Sequence, residues 1–231
     1  MEAIIFDVDG TLWDAKDEIV YSWNLALEGW PQITKRLTGE MMTPELGKPM
    51  DEIMDDLFPE LSPEQQELLA ADLYRIENQW IETALMIHNY GPGRLVLSLH
   101  AEVSCHEDMM RSHDLIDCVE RELSRKYRLM IVSNSQSGYI EAMLKNTGLG
   151  EYFVDHLCFG DTLKQKGENI RLIMERGGVK EAVYVGDTQG DANACDMAGV
   201  PMIYASYGFG NVEGDYPVIR KFSDLLDLFP V

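Results

Sequence analysis

Short apolar runs without polar alternation punctuate the chain, each ending abruptly in Asp, Ser or Gly. They are Ala3-Ile4-Ile5-Phe6 before Asp7, Leu129-Met130-Ile131-Val132 before Ser133, and Ala182-Val183-Tyr184-Val185 before Gly186. Runs this short and this uniformly apolar predict strands buried on both faces. Helical periodicity lies between and after them, at Ile116 to Lys126, Gly138 to Asn146 and Glu168 to Arg176. Pro201 to Ala205 reads as a further strand and Ser223 to Leu228 as a closing helix. The βαβα alternation predicts an α/β fold, a doubly wound parallel sheet.

Residues 15–90 have another texture, with Leu, Met and Trp at helical spacing among polar residues and no convincing strand. They predict an inserted helical cap domain, leaving 1–14 and 91–231 as a Rossmann-like core. Thr43-Pro44, Phe58-Pro59 and Ser62-Pro63 mark its turns, the last an N-cap for a helix over Glu64 to Ile87. Met41, Met42, Met50, Met54 and Trp80 read as packing residues.

Composition narrows the partners. The 231 residues are 45% hydrophobic, enough for a full core, and 19 Lys+Arg against 40 Asp+Glu give a net charge of −21. Such a surface repels nucleic-acid phosphates and anionic lipid, so neither nucleic acid nor membrane is an expected partner. Cys105, Cys118, Cys158 and Cys195 form no Cys-x-x-Cys pair, which argues against a zinc knuckle or disulfide framework. With no leader-like or membrane-spanning apolar stretch, the expectation is a cytoplasmic monomer or homodimer.

The chemistry gathers at the strand ends. In extended backbone, Asp7 and Asp9 project from one side about 7 Å apart at Cα. Two adjacent carboxylates raise each other's pKa unless a cation shares them, which calls for a metal such as Mg²⁺ or for one acid held protonated. Gly10 permits the turn that follows. Ser133-Asn134-Ser135 and Gly186-Asp187-Thr188-Gln189-Gly190-Asp191 leave two other strands, and in a parallel sheet these endings meet at one edge.

Together, Asp7-x-Asp9-Gly10-Thr11, Ser133-Asn134, a lysine near 166 and Gly186-Asp187-x-x-x-Asp191 resemble the four ordered motifs of haloacid dehalogenase-like phosphohydrolases. The position of the helical insertion is similar to that in the phosphoglycolate phosphatase-like branch. The resemblance implies a phosphatase acting on a small phosphorylated metabolite. It implies Asp7 as nucleophile, Asp9 as general acid/base, and Mg²⁺ held by Asp7, the Asp9 carbonyl and Asp187, with Asp191 as a further ligand or as support for the others. Ser133, Asn134 and Lys166 would bind the phosphoryl group, with Gly10 and Thr11 counted among the substrate-binding residues and Lys164 the alternative lysine. A phosphomutase of the same fold and a non-catalytic binding protein are the competing readings, though the latter ought to have lost one of these acids.

Other features carry less. His100, Cys105, His106, Glu107, Asp108 and His113 match no zinc spacing and read as a polar loop. Trp13 and Asp14 sit at the hinge into the insertion, where they either face substrate or pack and cap. Gly208-Phe209-Gly210 reads as a turn.

Overall fold

The apolar runs become the centre of a six-stranded parallel sheet. The computed structural model describes residues 1–87 and 119–230. Its strands are β1 (Ala3–Phe6), β2 (Arg128–Ser133), β3 (Phe153–Cys158), β4 (Ala182–Gly186), β5 (Met202–Ala205) and β6 (Val218–Ile219), in spatial order β3-β2-β1-β4-β5-β6. All pairings are parallel, β1 lying between β2 and β4 with Phe6 opposite Ile131 and Val185. Strand ends therefore share one rim, and the order reverses direction beside β1, where a crevice opens in such sheets.

Every residue of β1 is fully buried because both sheet faces are covered. Side chains alternate across a strand. Ile4 and Phe6 accordingly join one apolar cluster with Ile131, Val185 and Tyr139, while Ala3 and Ile5 join another with Met130, Tyr184, Ile170 and Cys195. The helices of the core are α5 (Tyr139–Thr147), α6 (Phe159–Thr162), α7 (Lys166–Gly177), α8 (Gln189–Ala198) and α9 (Leu225–Leu228).

Between β1 and β2 come α1 (Lys16–Leu27), α2 (Gly39–Met42), α3 (Met50–Leu57) and α4 (Pro63–Ile87). The Ser62 turn starts α4 by a reciprocal cap: Gln65 N–H donates to Ser62 Oγ (3.3 Å) and Ser62 N–H to Gln65 Oε1 (3.0 Å). Met42, Met50 and Met54 are buried, and Trp80 stacks on Tyr21 with centroids 4.3 Å apart.

Two strands escaped the sequence reading. β3 carries Asp155 and His156 and lies at the sheet edge, so it has no continuous apolar run. β6, two residues long at the other edge, has still less pattern. The boundary expected near residue 90, the His/Cys-containing stretch, and Cys105 and Cys118 fall outside the described residues; of the helix expected from Ile116, residues 119–124 are helical. Among the described residues no helix is long and apolar enough to cross a membrane.

Candidate active site

Asp7 follows β1 directly and is buried at the shared rim, its Oδ1 accepting from Lys166 Nζ at 2.9 Å. Lys166 is the first residue of α7, a position where the helix dipole disfavours a cation. Two carboxylates offset that local cost, because Lys166 Nζ also donates to Asp191 Oδ1 at 2.6 Å. Lys164 is exposed, so of the two lysines it is Lys166 that the fold brings to Asp7.

Helix capping explains the spacing of Gly186-Asp187-x-x-x-Asp191. Thr188 caps α8, accepting from Asp191 N–H (3.2 Å), while Asp191 Oδ2 folds back to accept from Thr188 N–H (2.9 Å) and Thr188 Oγ1 (2.7 Å). The other Asp191 oxygen is thereby aimed at Lys166. At Gly186 a Cβ would lie 2.7 Å from the Asp191 carboxyl carbon, so a larger residue would displace this carboxylate.

Asp187 is fully buried between two backbone turns. Its Oδ2 accepts from Phe209 N–H at 2.7 Å, and its Oδ1 faces the Thr11 hydroxyl at 3.4 Å. A Cβ at Gly10 would come within 2.2 Å of Asp187 Oδ2 and one at Gly208 within 2.4 Å; Gly10 also has φ +82°. Gly10 and Thr11 thus pack around Asp187 and, like Lys166, do not line the cavity that Asp7 and Asp9 share. The reason is steric, since the left-handed turn at Gly10 folds this segment behind Asp187.

Asp7, Asp187 and Asp191 offer oxygens that all lie within 4.8 Å of one another. Burial, and then the Asp191 charge, pushes Asp7 up to about 6 despite Lys166. Burial, and then the Asp191 and Asp7 charges, raise Asp187 well above the carboxylate range against the Phe209 N–H and Lys166. Burial would also raise Asp191, but Lys166 and Thr188 outweigh it and hold it low. Burial pulls the Lys166 ammonium down, and Asp191 and Asp7 more than restore it. Asp7 and Asp191 thus share one ammonium beside the third buried carboxylate, Asp187, and Asp7 Oδ2 has no hydrogen-bond partner. An all-oxygen donor set short of positive charge, with one buried oxygen unsatisfied, fits a hard divalent cation.

Asp9 points elsewhere. Its Oδ1 accepts from the Tyr139 hydroxyl at 2.6 Å, and part of its surface opens on a cavity of about 60 Å³. Burial in the surrounding protein is the main reason its pKa rises, to about 8; the Tyr139 bond opposes the rise and the Asp7 charge adds to it. Ser133, at the end of β2, lines the same cavity, and its Oγ accepts from Ser135 N–H at 3.1 Å. Asn134 also lines it, but its amide donates to Gly47 O (2.9 Å), tying the core to the helical insertion.

The insertion supplies the opposite wall, with Ile19, Trp23, Met42, Met50 and Ile53 beside Glu45, Lys48 and Glu77. Gln136 bridges the two parts, donating to Glu77 Oε1 at 3.1 Å and Asn78 Oδ1 at 3.0 Å. Burial pushes Glu77 up to about 6, opposed by the donors Trp23 and Gln136.

Sequence reasoning missed Tyr139, Glu77 and Gln136, which carry no local motif. It also passed over Phe209, whose N–H holds Asp187, although the flanking glycines marked a tight turn. At the hinge, Asp14 Oδ1 accepts from Lys16 N–H (3.2 Å) just before α1, and Trp13 is buried in the apolar core.

Residues 4–205 match the family model of haloacid dehalogenase-like hydrolases. The chain is 24% identical to a phosphoglycolate phosphatase of Aliivibrio fischeri, over 92% of this chain and 87% of that one. It is 27% identical to the pyrophosphatase PpaX of Bacillus velezensis, over 98% and 95%. A haloacid dehalogenase-like hydrolase structure from Streptococcus pneumoniae superposes with TM-score 0.74 and 18% identity, over 99% of this chain and 98% of that one. With nearly the whole sheet inside the matched span, the chain belongs to the haloacid dehalogenase-like hydrolases.

Proposed function

We propose that this hydrolase is a Mg²⁺-dependent phosphatase that cleaves a small phosphomonoester through an aspartyl-phosphate on Asp7. The observation that carries the reading is the buried Asp7–Lys166–Asp191 chain beside Asp187, facing a cavity shared by Asp9 and Ser133. The names of its relatives, phosphoglycolate phosphatase and pyrophosphatase, support the same reaction class.

Lys166 fixes one Asp7 oxygen, which orients the carboxylate and leaves Oδ2 free of hydrogen bonds. In the first step an Asp7 oxygen bonds to phosphorus as the bond from phosphorus to the alcohol oxygen breaks, and Asp9 gives its proton to that oxygen. Tyr139 occupies one Asp9 oxygen, so the other carries the proton. In the second step Asp9 takes a proton from water, whose oxygen attacks phosphorus and releases inorganic phosphate with Asp7 restored. Ser133 donates to the phosphoryl oxygens, and Lys166 offsets the charge beside them.

Asp7, Asp187 and the Asp9 carbonyl would hold Mg²⁺, with Asp191 positioning Lys166 and the start of α8. When bound, the ion supplies positive charge against the phosphoryl oxygens and between the two acids.

Phosphate release from an aryl phosphate tests the reading. It should require Mg²⁺ and vanish in Asp7→Asn; full turnover in that variant would remove Asp7 from the reaction. A screen of phosphorylated metabolites then narrows the substrate.

A further inference from the structure

The wall of the cavity that meets the leaving alcohol is anionic and apolar. Glu77 reaches it from α4, a carboxylate whose two oxygens each have one donor, Trp23 Nε1 at 2.5 Å and Gln136 Nε2 at 3.1 Å. Each oxygen retains a lone pair for a further donor. Glu45, almost fully buried, stands on the same side. The cation of this wall is Lys48, and it is already engaged, with Nζ 2.9 Å from Glu45 and 2.7 Å from Asp56. Among the described lining residues no arginine or histidine joins it. The rest of the wall from the insertion is largely apolar, chiefly Ile19, Trp23, Met42, Met50 and Ile53, with Tyr74 beside them.

A substrate brings one anionic group, the phosphate, to Asp7, Ser133 and Lys166. A second anion on its alcohol would face Glu77 and Glu45, and the one Lys48 N–H that the ion pairs leave over sits on a charge already balanced by Glu45 and Asp56. A donor or an uncharged carbon chain meets no such opposition, and an ammonium or hydroxyl gains a bond to Glu77.

We propose that the enzyme selects phosphomonoesters of short alcohols that carry no second anionic group, preferring those whose tail ends in a hydrogen-bond donor directed at Glu77. The inference rests on the phosphatase reading above and departs from the substrates named for the relatives, phosphoglycolate and pyrophosphate, each of which carries a second anionic group.

Four esters of matched length test it: 2-aminoethyl, 2-hydroxyethyl, ethyl and carboxymethyl phosphate, the last being phosphoglycolate. With Mg²⁺ present, kcat/KM for the aminoethyl and hydroxyethyl esters should exceed that for the carboxymethyl ester at least about tenfold, like-charge contact being strongly disfavoured. Ethyl phosphate should fall between. Glu77→Gln, which keeps the shape and removes the charge, should shrink the ratio of aminoethyl to carboxymethyl ester about tenfold.

A carboxymethyl ester turned over best, or a ratio unmoved by Glu77→Gln, overturns the proposal. Calorimetric titration of the four esters into Asp7→Asn reads the preference without turnover. The expected order of binding with no hydrolysis of any ester or of an aryl phosphate by the wild type would sink the phosphatase reading and leave the charge preference standing. The reverse order of binding would sink the preference alone.

Discussion

The rim of the sheet and the cap wall facing it are both acidic, but they hold their charge differently. At the rim, Asp187 and Asp191 are clamped by backbone N–H groups from two turns, and Lys166 joins Asp191 to Asp7 in full burial. Lys166, Thr188 and the three aspartates lie next to strand or helix ends, so the backbone path largely sets the geometry. Across the cavity, Glu45, Lys48 and Glu77 are held by side chains, and several partners lie on other elements. The rim is built to keep one arrangement, as chemistry requires; the wall can change its residues without disturbing the sheet, as substrate choice requires.

The comparison predicts that damage at the rim is large and is felt in both rate and stability. Asp7→Asn should lower kcat by on the order of 10⁴. Lys166→Met should cost about 10²- to 10³-fold in kcat. Because Lys166→Met leaves two buried carboxylates uncompensated, it should also destabilise the Mg²⁺-free protein by about 3–5 kcal/mol in denaturant titrations. Lys164→Met, at an exposed position, should change neither by more than the error of the measurement. Equal effects from the two lysines would show that the buried chain does not organise the site.

Tyr139→Phe should act on one step more than the other substrates reveal. Without the hydroxyl, Asp9 loses the donor at 2.6 Å and its fixed orientation. Turnover of alkyl phosphates, whose alkoxide needs a proton, should fall about tenfold, within the range general-acid catalysis supplies. Formation of the phosphoenzyme from an aryl phosphate, whose leaving group needs none, should be nearly unchanged in a burst measurement. An equal loss for both ester types would mean that Tyr139 only packs. Next in size, Gly10→Ala should weaken Mg²⁺ affinity and destabilise the chain by about 1–3 kcal/mol, because its Cβ would overlap Asp187 at 2.2 Å in a left-handed turn. An unchanged Mg²⁺ titration would separate Asp187 from the metal.

The same division decides what could be read in the sequence. Asp7, Ser133, Asp187 and Asp191 were legible because they follow buried apolar runs, and a parallel sheet forces those ends together; Lys166 was picked out by the family resemblance. Capping even fixed the interval between Asp187 and Asp191. Tyr139 and Glu77 were not legible, since the first meets Asp9 across 130 positions and the second meets Gln136 across 59. Only docking of the insertion on the core brings them to the cavity. Gly10 and Thr11 sit in a recognisable motif, yet their packing around Asp187 could not be read from it, because it depends on how tightly the turn closes.

The smallest effect concerns Glu77, where wall and rim meet. Burial pushes its pKa up to about 6 from an ordinary 4.5, against the donors Trp23 and Gln136. The folded chain therefore binds this proton more readily than the unfolded chain. The associated stability is complete below about pH 4.5 and is lost as pH rises through about 6. The difference amounts to about 2 kcal/mol, since one pKa unit corresponds to about 1.4 kcal/mol. Other carboxylates titrate in the same window, so the test is the difference between wild type and Glu77→Gln in urea unfolding at pH 4 and pH 7. Wild type should gain on the variant at the lower pH by roughly that amount, on the order of 2 kcal/mol. A difference independent of pH would mean that Glu77 is as well solvated in the folded chain as in the unfolded one, and the wall would then be open to water, losing the charge discrimination assigned to it.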